Sequence, residues 1–310
     1  MRNEKELTIL AASRPRKRLH TIGLLTLVAA LSTLVPRAAH AEVPKEPIDP
    51  NHSPFKVNVP LDIGISVGSM VLGGMPRLFA SETLRPWCGL ECDPADVNPL
   101  DRTVIGHHSK TALHISDAGF FSSMALPYAF GLIDALTSDP TDGFTGMAKD
   151  DLVLIETLSI VLVTNNVFSF IIRRPRPITY DKGVSDEERL LPNNVFSFPS
   201  GHTAASFAMA TAYSRLYMMR HPDSPWIAPL WIGTYSLATM TGVLRTYSGD
   251  HFWTDVMAGA ITGIGLGLVV PWMHTVELES GPQAAKATAI NVRVAPMALE
   301  GGAGATLIVQ

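Results

Sequence analysis

Charge is scarce in this sequence. Asp, Glu, Lys and Arg make up 17% of its 310 residues, against about a quarter in an ordinary soluble domain. With 46% apolar residues and a mean hydropathy of +0.20, a water-filled exterior is hard to cover, and a membrane or unusually apolar helical protein is favoured. A basic excess is missing too. The net charge of −4 provides no domain-wide positive surface for a phosphate backbone, which excludes nucleic acid as a partner. Cysteine is nearly absent: only Cys88 and Cys92 occur, in CGLEC. In an oxidising compartment so close a pair is a disulfide candidate; a zinc site with nearby His107 and His108, or two free thiols, are the alternatives. Long repeats are absent as well. The hexamer NNVFSF recurs at 165–170 and 193–198, far shorter than a solenoid unit.

Residues 1–41 read as an export signal: a basic run RPRKRLH, an apolar run TIGLLTLVAALSTLV, then AHA before Glu42. A retained anchor is the alternative. Residues 42–60 form a Pro-rich extended linker. The helical domain covers 61–275, with apolar stretches at 61–80, 115–136, 151–172, 203–219, 226–244 and 255–273. Each approaches the roughly 20 residues needed to cross a bilayer. Stretch 61–80, interrupted by Asp62 and Arg77, is the weakest and can instead lie along the interface. Asp62, Asp134, Glu156, Asn165 and Asn166 fall inside apolar stretches, where such groups face a bundle interior and pair with one another. The tail, 276–310, alternates about a Gly turn and predicts a short β-hairpin.

Three clusters stand at ends of these stretches. In FPSGHTAASFAMA, Pro199 stops a preceding helix, Ser200 is a natural N-cap, and Gly201 admits a ligand close to the backbone. The helix terminus favours an anion, with His202 beside it as a proton donor. In IIRRPRPITY, Arg174 and Arg176 offer forks that fit phosphate oxygens, and Arg173 adds a further cation. In LRTYSGDHFWTDVMAG, His251 and Asp255 have the i, i+4 spacing of one helix face, so that the carboxylate can fix the ring's tautomer. Arg245 adds another cation. Each cluster alone has a structural explanation: a helix cap, an interfacial basic flank, a helix-surface pair. Together they equip a site for phosphoryl transfer through a covalent intermediate, with no metal or cofactor required.

Arg176-Pro177, then PSGH, then Arg245, five residues, His251, three residues, Asp255 resembles the three-part signature of the type 2 phosphatidic acid phosphatase and vanadium haloperoxidase superfamily. The six apolar stretches are similar to its membrane-associated phosphatase branch. Two positions depart from that pattern: Ser169 stands where the family usually has Lys, and Leu244 where Ser usually precedes the Arg. Arg173 or Arg174 is the substitute for the missing Lys.

The resemblance implies an all-α bundle of about six helices, embedded in the membrane, that hydrolyses a phosphate monoester or pyrophosphate of a lipid. His251 would attack phosphorus, Asp255 hold its ring, and His202 protonate the leaving group. Arg174, Arg176, Arg245, Ser200 and Gly201 would bind the phosphate. A vanadate-dependent haloperoxidase, a soluble periplasmic acid phosphatase and a non-catalytic membrane protein are the rival readings. The expected location is a bacterial inner membrane with the site facing outward; the expected partners are a phosphorylated lipid and the membrane.

Overall fold

The computed structural model describes residues 53–80, 84–137, 143–275, 292–299 and 302–309. The signal-peptide reading and most of the linker lie outside them. Six long helices form the first compact unit: α1 (Val59–Ala80), α2 (Lys110–Thr137), α3 (Gly143–Ile172), α4 (Gly201–Arg220), α5 (Ile227–Tyr247) and α6 (Trp253–His274). The second unit is an antiparallel hairpin, β1 (Val292–Leu299) with β2 (Gly302–Val309), in which Val292 pairs with Val309 and Leu299 with Gly302.

Helix α4 is the central element, packed by α2, α3, α5 and α6. Its sequence explains the position: Ala, Ser and Thr keep its girth small, and Ala204, Ala205, Ala208 and Ala212 are buried against Val161 and Val153 of α3. Helix α6 meets it through glycines one turn apart. A Cβ on Gly259 would come within 2.6 Å of the Ser200 carbonyl, and one on Gly267 within 2.7 Å of the Ala208 carbonyl. Gly263 faces the Ala204 carbonyl in the same way. Such small-residue seams let helix backbones approach closely and fix their register.

Four helices, α2, α3, α5 and α6, are long and apolar enough to cross a membrane. Their outer faces are apolar, as at Phe121, Ile133, Ile171, Ile232 and Ile261. Helix α1 follows the same inside-out rule: Leu61, Ile63, Val67, Val71 and Leu72 are exposed, while Asp62 and Ser66 are buried. It packs along α3, so stretch 61–80 is a bundle helix and not an isolated surface one.

The charged residues inside apolar stretches pair across helices. Arg220 reaches Asp150 at 2.6 Å and Asp134 at 3.2 Å, and His221 reaches Asp134 at 3.0 Å. This belt marks one end of the bundle. The chain begins and ends its helical unit at that end, where Phe55 bridges Thr275 and the Lys56 N–H donates to the His274 carbonyl at 2.7 Å. The opposite end carries the loops 84–109, 173–200 and 248–252. Arg189 knits the first two by donating to the Thr179 and Leu90 carbonyls at 3.0 Å each.

Candidate active site

The three sequence clusters converge at this loop-bearing end. Ser200 is the N-cap of α4, but its side chain makes no capping bond; its hydroxyl accepts from Thr203 Oγ1 at 2.9 Å. The first-turn amides therefore keep their donors, as the amides of any helix start have no partner within the helix. Gly201 stands over Asn165 of α3, whose Nδ2 would lie 3.0 Å from an added Cβ. His202 projects from the first turn against the Phe120 ring, with centroids 4.5 Å apart.

Two arginines face one another across acidic partners. Arg176 Nη1 donates to Asp250 Oδ1 at 2.7 Å, and Arg245 Nη1 to Asp250 Oδ2 at 3.3 Å. Arg245 also holds Asp117 of α2, whose Oδ1 lies 3.4 Å from His202 Nε2. Asp117, Asp250, Arg176, Arg245 and His202 thus form one continuous ionic chain. Burial, then the positive field of Arg245, pushes His202 down to about 4. Burial opposes ionisation of Asp250, yet Arg176 and the hydrogen bond from the Ser248 hydroxyl hold its carboxyl below the usual carboxylate range.

His251 precedes α6, in a turn where its N–H and that of Asp250 both donate to the Arg245 carbonyl at 3.2 Å. Its Nδ1 lies 2.6 Å from the Ser197 carbonyl. A carbonyl only accepts, so Nδ1 carries the proton and Nε2 the free lone pair. Burial first, then Arg176, holds the ring well below its ordinary pKa and keeps it neutral.

The i, i+4 helix-face reading of His251 and Asp255 is corrected here. Helix α6 starts at Trp253, after an N-cap at Phe252, so the two residues do not share a helix face. Asp255 Oδ2 stands 4.0 Å from His251 Nδ1 and accepts from Ser197 Oγ at 2.6 Å and from the Phe252 N–H at 2.8 Å. Ser197 therefore links the two, with its carbonyl on the ring and its hydroxyl on the carboxylate.

Arg174 lies in a supporting layer. Its terminal nitrogens donate to Asp255 Oδ1 at 2.5 Å, Thr254 Oγ1 at 2.7 Å and Asp101 Oδ2 at 2.7 Å, and its guanidinium stacks 4.3 Å over the Phe252 ring. Arg173, with a left-handed φ of 48°, folds back over Phe170. Ser169, where the family usually has Lys, is fully buried inside α3. Cys88 and Cys92 are bonded to each other, so no thiolate faces His107 or His108. His107 Nδ1 instead meets the Thr246 carbonyl at 3.2 Å, and His108 meets Asp181 at 2.7 Å.

Sequence reasoning passed over Asp117, Asp250, Ser197 and Asp101. Asp117 carries the signal read at Asp134, an acid within an apolar stretch, and Asp250 adjoins His251. Ser197 belongs to the second hexamer copy, whose Phe196 ring stacks on Phe170 of the first copy at 6.2 Å. Nothing in the sequence marks Asp101.

Residues 151–278, which contain the three motif clusters but not Asp101, Asp117 or the Cys pair, match the family model described as the PAP2 superfamily. The similarity to that family covers about two fifths of the chain. Among similar proteins, a lipid A 1-phosphatase of Porphyromonas gingivalis is 39% identical over 77 residues, 25% of this chain and 16% of that protein. Phosphatidylglycerophosphatase B of Bacillus subtilis is 30% identical over 127 residues, 39% of this chain and 56% of that protein. The chain thus spans less than two thirds of the length of either relative. A transmembrane PAP2-type phosphatidylglycerolphosphate phosphatase from Bacillus subtilis, solved by crystallography, aligns over 68% of this chain and 94% of its own, with a TM-score of 0.43 and 19% identity.

Proposed function

We propose that the chain is a membrane-embedded phosphatase that hydrolyses a phosphate monoester or pyrophosphate of a lipid, through a phosphohistidine at His251. The observation that carries this reading is the 2.6 Å contact of His251 Nδ1 with the Ser197 carbonyl, which leaves Nε2 as a neutral, buried nucleophile among three cationic or donor elements. Lipid as the substrate class is supported by the lipid phosphatases among the similar proteins and by the four apolar helices.

In the proposed cycle, phosphate oxygens displace Asp250 and Asp117 from Arg176 and Arg245 and take the first-turn amides of α4. His251 Nε2 attacks phosphorus as the ester P–O bond breaks, and His202 gives its proton to the departing oxygen. His202, now neutral, takes a proton from water, which attacks phosphorus, breaks the P–N bond and releases inorganic phosphate. Fixed guanidinium groups and amides supply the charge stabilisation, so no metal takes part in either step. Arg174 acts as a strut that fixes Asp255 and, through Ser197, the His251 ring.

Detergent-purified protein assayed against lipid A, phosphatidylglycerol phosphate, phosphatidic acid and undecaprenyl pyrophosphate should release phosphate from at least one of them. Turnover should persist in EDTA, stop with vanadate, and fall by roughly 10³-fold or more in His251→Ala. No release from any of these lipids by folded protein would overturn the proposal.

A further inference from the structure

Far from the phosphate site, at the end where the chain enters and leaves the bundle, Asp62 of α1, Glu156 of α3 and His274 of α6 bring three ligand atoms within 4.8 Å of one another. Asp62 is 3% and Glu156 4% exposed, so both carboxylates are withdrawn from water.

The tautomer of His274 makes this cluster more than an ion pair. Its Nδ1 lies 3.2 Å from the Lys56 carbonyl, which can only accept, so Nδ1 carries the proton of the neutral ring. Nε2 then presents a lone pair, and it faces Glu156 Oε2 at 3.2 Å. Oε2 is buried and has no hydrogen-bond partner apart from that ring nitrogen. Two lone pairs pointed at one another, with a second carboxylate alongside, need positive charge between them. The 3.2 Å separation also matches the edge of a tetrahedron with bonds of about 2.0–2.1 Å, roughly 3.3 Å, as around zinc bound by His and carboxylate. Ser66, one turn beyond Asp62 on the same buried face, adds another hydroxyl without a partner.

We propose that Asp62, Glu156 and His274 bind one divalent transition-metal ion, with zinc the simplest fit, and that this ion ties α1 and α6 to α3. A neutral imidazole and two carboxylates balance a divalent charge in apolar surroundings, and mixed nitrogen and oxygen donors select such ions over calcium or magnesium. The His274 side chain, 13% exposed where both carboxylates are more deeply buried, gives the ion its access. The site stands apart from the phosphate chemistry and is independent of the proposed activity.

The test uses the full chain in detergent, with any oligohistidine tag removed and bound metal stripped by EDTA. Titration with Zn2+ should load one ion per chain and raise the Tm, since a ligand that binds only the folded state stabilises it. Co2+ in its place should give the visible absorption of a low-symmetry tetrahedral site. Glu156→Gln and His274→Gln should each weaken Zn2+ binding about tenfold or more, while His251→Ala retains it. Absence of uptake by folded wild type, or unchanged affinity in both ligand variants, would overturn the proposal in favour of a proton shared by Glu156 and His274. If one variant fails to fold, the other and the Co2+ spectrum decide.

Discussion

The carboxylate of Asp250 stands between Arg176 and Arg245, and that of Asp117 between Arg245 and His202, each with the negative charge of the phosphate that the proposed reaction brings there. This has a consequence for pH. The proposed chemistry needs His251 neutral and His202 protonated, and burial holds both rings below the usual histidine value of 6.5. In the free enzyme the productive pair of states lies between these two lowered values, so kcat/KM should peak on the acid side of 6.5. Bound phosphate adds negative charge and raises both, so the kcat optimum should lie at higher pH than that of kcat/KM. A kcat/KM optimum above neutrality would contradict the assignment. The same depressed values act on stability: the unfolded chain takes up these protons below 6.5 before the folded one does, so stability is complete above that pH and declines as pH falls. Asp255→Asn belongs to the same scale. Asp255 is fully buried and balances Arg174, so the substitution should both slow turnover and destabilise by about 3 kcal/mol, the cost of breaking a buried pair. A circular-dichroism melt unchanged by Asp255→Asn would show that the Arg174 strut is not under load.

The glycines of α6 decide whether the elements can meet at all, because Gly259, Gly263 and Gly267 let α6 lie on the backbone of α4 and so bring the His251 turn to the Ser200 step. Gly263→Val would press its side chain onto the Ala204 carbonyl. It should cost about 1–3 kcal/mol in overpacking and reduce activity through misregister of α4 and α6. Gly265→Val, two residues on, has no atom within 4 Å of an added Cβ and should melt like wild type. Equal Tm values for the two variants would refute the seam. Existence and number of the long helices were legible in the sequence, because runs of apolar residues near bilayer length leave few alternatives. The depth of each helix was not. Helix α4 reads as one more span, yet its Ala, Ser and Thr residues place it at the centre, and nothing local distinguishes a small-residue span from a small-residue core. The start of α6 was illegible for a related reason: Phe252 carries no capping side chain, and the cap forms when the Asp255 carboxylate accepts the Phe252 N–H. His251 and Asp255 were therefore found as residues while their geometry was misread. Asp117 could have been found by the rule that ionisable groups in apolar runs face inward, and Asp250 only as the neighbour of His251, but only the folded chain shows which cation each one meets.

At the scale of the whole molecule, the two ends of the bundle make opposite demands on topology. The six helices alternate, so residues 53–58 and 275 share one end, and the loops with Cys88–Cys92, Arg176, His202 and His251 share the other. A disulfide is stable in an oxidising compartment. We therefore expect the phosphate site to face outward and the Lys56 end to face the cytoplasm. This departs from the export-signal reading, in which cleavage before Glu42 delivers the linker outside; with α1 packed along α3 as a full helix, both cannot hold. Single cysteines decide it in a Cys88→Ser, Cys92→Ser background. Ser185 is exposed in the loop above the site, and Lys56 is exposed at the far end. In intact cells a membrane-impermeant thiol reagent should label Ser185→Cys, while Lys56→Cys should react only after the inner membrane is permeabilised. The reverse pattern would put the site in the cytoplasm, restore the export reading and remove the outward-facing location together with the compartment argument for the disulfide. Labelling at both positions in intact cells would mean that only two of the three helices between them cross the membrane, and that α1 stops short of it.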